Sequence, residues 1–289
     1  MTSPAMQSAL PARVHHLQPA GLTALAVALV VLLPELFGDL GRLGAVLVLQ
    51  LGLVLTWVLV AGLEGFGGSL AVGAAAAVAA DLALILPERP ALGDLLVVLG
   101  VGFLAAVLQQ MLRRPREDLV ASLSGTVLLL CAVSALAALL LLGRAPDGHG
   151  QAMVALLAVG AALVVGHAVD LVLPRPYLAT GVPRGLFGLL LSVLAGALVA
   201  FLGRDAGGTG AAVPALVEGA VLAGVTAMVA LVTSYVVVEA TSAGGEWADE
   251  DGPAAHGDPS LSPWALSVVQ AVLPLAACAP VALALRSIL

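Results

Sequence analysis

Nine stretches of this chain are apolar over a length that crosses a bilayer, and each is closed off by proline, glycine or charge. They cover residues 19–37, 43–63, 70–86, 92–112, 119–142, 152–173, 185–202, 211–238 and 264–285. About 20 apolar residues in a helix span the hydrocarbon core, and only helices or closed barrels satisfy their backbone there. The expected fold is an all-α, polytopic transmembrane helix bundle with about nine spans, within a range of eight to ten. The first and third runs set that range, because they are short and carry acidic residues.

Composition agrees. Hydrophobic residues make up 61% and charged residues 10% of the 289 positions, against roughly half and a quarter in a soluble domain. With aromatics at 3%, the apolar surface is leucine, valine and alanine, which suits lipid contact and close helix packing. Residues 1–18 read as a polar N-terminal segment, and 19–289 as one transmembrane domain. The first run has no small-residue cleavage site after it, so it reads as a retained span and not a signal peptide. The longest polar stretch, 239–263, reads as a flexible acidic loop containing Glu246, Asp249, Glu250, Asp251 and Asp258. No internal repeat of the inverted-repeat transporter type is visible.

All eleven basic residues are arginine, and none forms a stripe able to follow a phosphate backbone, so no nucleic-acid partner is expected. Arginine placement gives orientation. With the N-terminus inside, the inner segments hold Arg13, Arg113, Arg114, Arg116, Arg175 and Arg184, and the outer ones Arg42, Arg89, Arg144, Arg204 and Arg286. The dense 113–116 cluster decides for a cytoplasmic N-terminus and an outer C-terminus, in the plasma membrane of a bacterium. Arg113, Arg114, Arg116 and Arg184 are the candidate contacts to the membrane surface. Cys131 and Cys278 both fall in apolar runs and read as small buried hydrophobes.

Ionisable residues at membrane depth are costly, and each is therefore a candidate for function. Asp81, Asp94 and Asp170 lie within about two turns of a run's end, where a helix-end contact accounts for them. His167 and Asp170, three residues apart, share a helix face, so the carboxylate can orient the imidazole. Two ligands are too few for zinc, and no metal or other cofactor is implied. Glu218 is the remaining candidate, with no partner visible in the sequence. Together His167, Asp170, Glu218 and Asp81 form the candidate intramembrane polar set. Gly188, Ser192 and Gly196 recur every four residues and read as a helix-packing face.

Soluble-enzyme signatures are missing: there is no phosphate loop, no paired-histidine zinc motif and no nucleophile elbow. The layout of 90–289 resembles the phosphatidate cytidylyltransferases, membrane enzymes that make CDP-diacylglycerol. Their first loop motif, Ser-Pro-Lys-Lys/Thr-x-Trp-Glu-Gly, corresponds to the stretch ending Pro183-Arg184-Gly185-Leu186-Phe187-Gly188. Pro183 matches the motif proline, Arg184 stands where the first lysine would be and Phe187 where the tryptophan would be, while Gly188 replaces the glutamate. Of the second signature, only His256-Gly257-Asp258 echoes His-Gly-Gly, and Asp-Arg-x-x-Asp is absent. The reaction needs carboxylate-held metals to align several phosphates, so the resemblance implies the scaffold without the catalytic signature. The expectation is a non-catalytic membrane protein that binds lipids, or a protein partner through the acidic loop 239–263. A transporter subunit using Asp81, Asp170 and Glu218 and a lipid-modifying nucleotidyltransferase are the alternatives.

Overall fold

The computed structural model describes residues 12–63, 65–112, 119–144, 148–178, 182–206, 210–246 and 262–288. These form ten helices: α1 (Ala12–Val60), α2 (Phe66–Ile85), α3 (Asp94–Leu112), α4 (Leu119–Ala137), α5 (Leu139–Leu142), α6 (Gly148–Val172), α7 (Leu186–Leu202), α8 (Ala212–Glu246), α9 (Pro263–Ala276) and α10 (Cys278–Arg286). The bundle is all-α, as expected. Seven of its helical stretches are long and apolar enough to cross a membrane, not nine.

The difference has two sources. The first two apolar runs belong to one element, α1, which is broken where Gly38 takes φ 60° and ψ −138°. Glycine has no Cβ and adopts this conformation without the steric cost other residues carry. The break reverses the chain, because the Cα of Gly41 comes to face the carbonyl of Leu33. The first arm of α1 then runs antiparallel to α6, with His16 beside His167 and Glu35 beside His149. The second arm runs antiparallel to α4, with Gln50 on Val133 and Trp57 on Gly125. The other source is α7, whose 17 residues fall short of spanning length.

Two further expectations change at the polar ends. Residues 239–246 continue α8 instead of opening a loop, and 12–18 are the first turns of α1. The rest of the acidic stretch, 247–261, lies outside the described residues, as do Arg113, Arg114 and Arg116. Cys278 is buried, but Cys131 is exposed on the face of α4.

Small residues let the helices close on one another. In α7 the buried side is Gly188, Ser192 and Gly196, the stripe read from the sequence, with Ala200 continuing it. Gly196 packs against Gly219 and Ala223 of α8, and Gly188 against Asp170 of α6, where a Cβ would collide. The opposite faces of α3 and α7 carry exposed leucines such as Leu104 and Leu194, as a lipid-facing surface requires.

Candidate functional site

The densest polar cluster lies at the end of the bundle where α6 leaves and α7 begins. Between them the chain makes a short antiparallel turn: Leu178 N–H donates to the Arg184 carbonyl at 2.9 Å, and Leu186 N–H to the Pro176 carbonyl at 3.0 Å. This fixes the backbone of Arg184 at the mouth of the bundle, and its side chain turns inward. Arg184 is 7% exposed, so it is not the surface contact expected from its loop position. Its Nε donates to Ser234 Oγ of α8 at 3.0 Å, Nη1 to Asp170 Oδ2 at 3.3 Å and Nη2 to His167 Nε2 at 3.2 Å.

Asp170 is neutralised from two sides. Arg184 holds one oxygen, and the other accepts the Gly185 N–H at 2.9 Å, so the carboxylate also caps the N-terminus of α7. Burial lowers the pKa of Arg184 from its ordinary range; the charge of Asp170 and its hydrogen bond counter that. The guanidinium stays cationic.

Arginine only donates, so His167 Nε2 accepts and the ring proton is assigned to Nδ1. That proton points at Nδ1 of His16, 3.4 Å away. His15 stacks edge-on against His16 with centroids 4.9 Å apart, and its Nδ1 lies 3.5 Å from Gln270 Nε2 of α9. A single chain of contacts therefore joins α8, α6, the 182–185 turn, α1 and α9. The free space beside Asp170, Arg184, Gly188 and Ser192 is about 20 Å³, room for one water-sized molecule.

The candidate set from the sequence divides. His167 and Asp170 converge on Arg184, but no hydrogen bond joins them, so the carboxylate does not itself orient the imidazole as expected; Asp81 and Glu218 lie elsewhere. Asp81 of α2 pairs with Gln50 in the second arm of α1. Glu218 sits near the start of α8, where its charge faces Arg286 at the end of α10. The sequence reading missed His15 and His16, which fall in its polar leader, and Ser234 and Gln270, lone polar residues in apolar runs. The adjacent histidine pair just before an apolar run was the one available signal. Among the described residues no group of three or more His, Cys, Asp or Glu side chains could hold a metal ion.

A second feature lies across α8 from this cluster. Thr233, next to Ser234, lines an apolar groove of about 670 Å³ walled by Trp57, Leu128, Val225, Met228, Val232 and Leu273. Trp57 is fixed there by its Nε1–H, which donates to the Gly125 carbonyl at 3.0 Å. On α8 the groove runs from Val221 to Val236, about 22 Å at 1.5 Å per residue.

Helices of this length and apolarity, with leucines on their outer faces, make the chain a multi-pass helical membrane protein. Comparison with protein-family models finds no match, and none of the curated proteins is significantly similar in sequence.

Proposed function

We propose that this is a non-catalytic lipid-binding protein that holds a hydrocarbon chain of a membrane lipid in the groove beside α8. The observation that carries this reading is the groove's shape. The groove runs about 22 Å along α8 with an almost wholly apolar lining. Its volume, about 670 Å³, lies in the usual range of small-molecule sites, roughly 300–1,000 Å³, and an extended acyl chain suits that length and lining.

Two features support the non-catalytic part. Asp170, His167 and Arg184 have their polar atoms taken up within the bundle, by Arg184 itself and by Gly185, Ser234 and His16, and the space beside them admits one water, not a nucleotide or a phosphorylated headgroup. Arg184, which stands at the first lysine of the cytidylyltransferase motif, is turned into the bundle. The proposal is therefore a cytidylyltransferase-like scaffold that keeps contact with lipid and has lost the reaction. A transport path through Asp81, Asp170 and Glu218 has less support, since the three acids sit in three separate environments. The same reading takes the end of the bundle carrying the 113–116 arginine cluster as cytoplasmic and the membrane as the plasma membrane.

Native mass spectrometry of the protein, purified through a delipidating detergent, tests the idea. One retained lipid in the wild type, lost in Gly224→Phe, is expected. Magnesium-dependent turnover of phosphatidate with CTP would instead restore the enzyme reading, and a retained protein subunit the partner reading.

A further inference from the structure

Away from the arginine cluster, the pair of Asp81 and Gln50 has an imbalance of donors and acceptors. Asp81 is 3% exposed and Gln50 fully buried, both within membrane-spanning helices. The Gln50 amide nitrogen donates twice, to Asp81 Oδ1 at 3.1 Å and to the Val133 carbonyl at 3.0 Å. Both its protons are then used. Two buried oxygens of the same pair, Asp81 Oδ2 and Gln50 Oε1, have no hydrogen-bond partner.

Among the described residues no cation offsets the carboxylate. From the second arm of α1 the charged groups are Asp39 and Arg42, and these two pair with each other at 3.0 Å. The α3 helix brings only Asp94, which accepts the Ala91 N–H in its first turn. Neither α4 nor α5 carries a charged residue. Arg144, beyond α5, has its Nη1 bonded to the Leu84 carbonyl, almost one turn further along α2. An ionised carboxylate without a partner at this depth is strongly disfavoured.

We infer that Asp81 and Gln50 form an intramembrane proton-binding site, in which the acid proton rides on Asp81 Oδ2 and bonds to Gln50 Oε1. A carboxylic acid and a primary amide are complementary. The amide N–H donates to one acid oxygen, and the acid O–H donates back to the amide oxygen. The first half of that ring is the 3.1 Å bond already present. The two unpartnered oxygens are the atoms that its second half requires, and one proton satisfies both. A metal cation is a poorer occupant, because hard cations take six or more oxygens and the pair with Val133 supplies four. This site is separate from the lipid groove, since none of Gln50, Asp81 and Val133 lines it.

The test is the infrared spectrum of the full chain in lipid vesicles near neutral pH, taken as wild type minus Asp81→Asn. The expected difference is one carbonyl band of a protonated carboxylic acid, moving to lower frequency in D2O. In Gln50→Leu the band shifts to higher frequency, because the hydrogen bond is lost. The side-chain amide introduced by Asp81→Asn can pair with the Gln50 amide in the same two-bond manner, so thermal stability should match wild type. A difference spectrum showing only ionised-carboxylate bands would overturn the inference. So would a wild-type stability that rises with sodium while Asp81→Asn does not respond, which would assign the site to a metal cation.

Discussion

Nη2 of Arg184 lies 3.2 Å from Nε2 of His167, and this contact sets which ring nitrogen of His167 carries the proton facing His16. Because the guanidinium can only donate, His167 must offer a lone pair there and present its proton to His16. The same arginine holds Asp170 and Ser234, so α6, α8 and the turn before α7 are joined through one side chain. Its role is that of a clasp at one end of the bundle.

Removing the clasp should be costly. Arg184→Met leaves Asp170 as a buried anion without its cation and is expected to lose about 3–5 kcal/mol. Combining it with Asp170→Leu should recover much of that, since replacing a whole buried pair by apolar groups is often neutral. Arg184→Lys should not rescue, because one ammonium cannot reach three acceptors in a planar fork. Equilibrium unfolding of the purified variants in detergent checks all three. Equal stability of wild type and Arg184→Met would rule the clasp out.

How much of this cluster the sequence disclosed depends on where each residue stood. His167 and Asp170 were legible because they interrupt an apolar run three residues apart, which puts them on one helix face. The Gly188–Ser192–Gly196 stripe was legible for the same reason of period. Arg184 was not, since a loop arginine next to proline and glycine has the pattern of a membrane-surface anchor. Its inward turn depends on the antiparallel pairing of 176–178 with 184–186, which leaves no periodic trace. The reversal at Gly38 was legible as the gap between the first two apolar runs, since Gly38-Asp39 breaks the hydropathy; that helix resumes directly after Gly38, with no loop between the arms, was not. Asp81 and Glu218 looked equivalent to Asp170 by depth, and only tertiary packing separates them.

The packing of α7 on α8 gives a second prediction. A Cβ at Gly196 would run into Ala223 and the Gly219 carbonyl. Gly196→Val should therefore destabilise by about 1–3 kcal/mol through overpacking. Leu194→Ala, whose side chain is 62% exposed on the lipid face, should change stability much less. The comparison requires only unfolding midpoints; similar losses in both variants would contradict the assignment of faces.

His149 and Glu35 make a control. They approach to 2.6 Å, but each side chain is more than half exposed. Exposed pairs contribute roughly 0–1 kcal/mol, so His149→Ala should shift stability by no more than that. A loss comparable to that of Arg184→Met would show that this pair, too, is structural.

The central claim, an acyl chain seated in the groove beside α8, is tested most directly at Trp57. In a chain with Trp247→Phe and Trp264→Phe, Trp57 is the sole tryptophan, and it lines the groove while being only 4% exposed. Its fluorescence is measured in vesicles whose lipids carry bromine on the acyl chains. Strong quenching is predicted, reduced several-fold when Gly224→Phe fills the groove. Equal quenching with and without Gly224→Phe would mean that no chain enters the groove and would contradict the account.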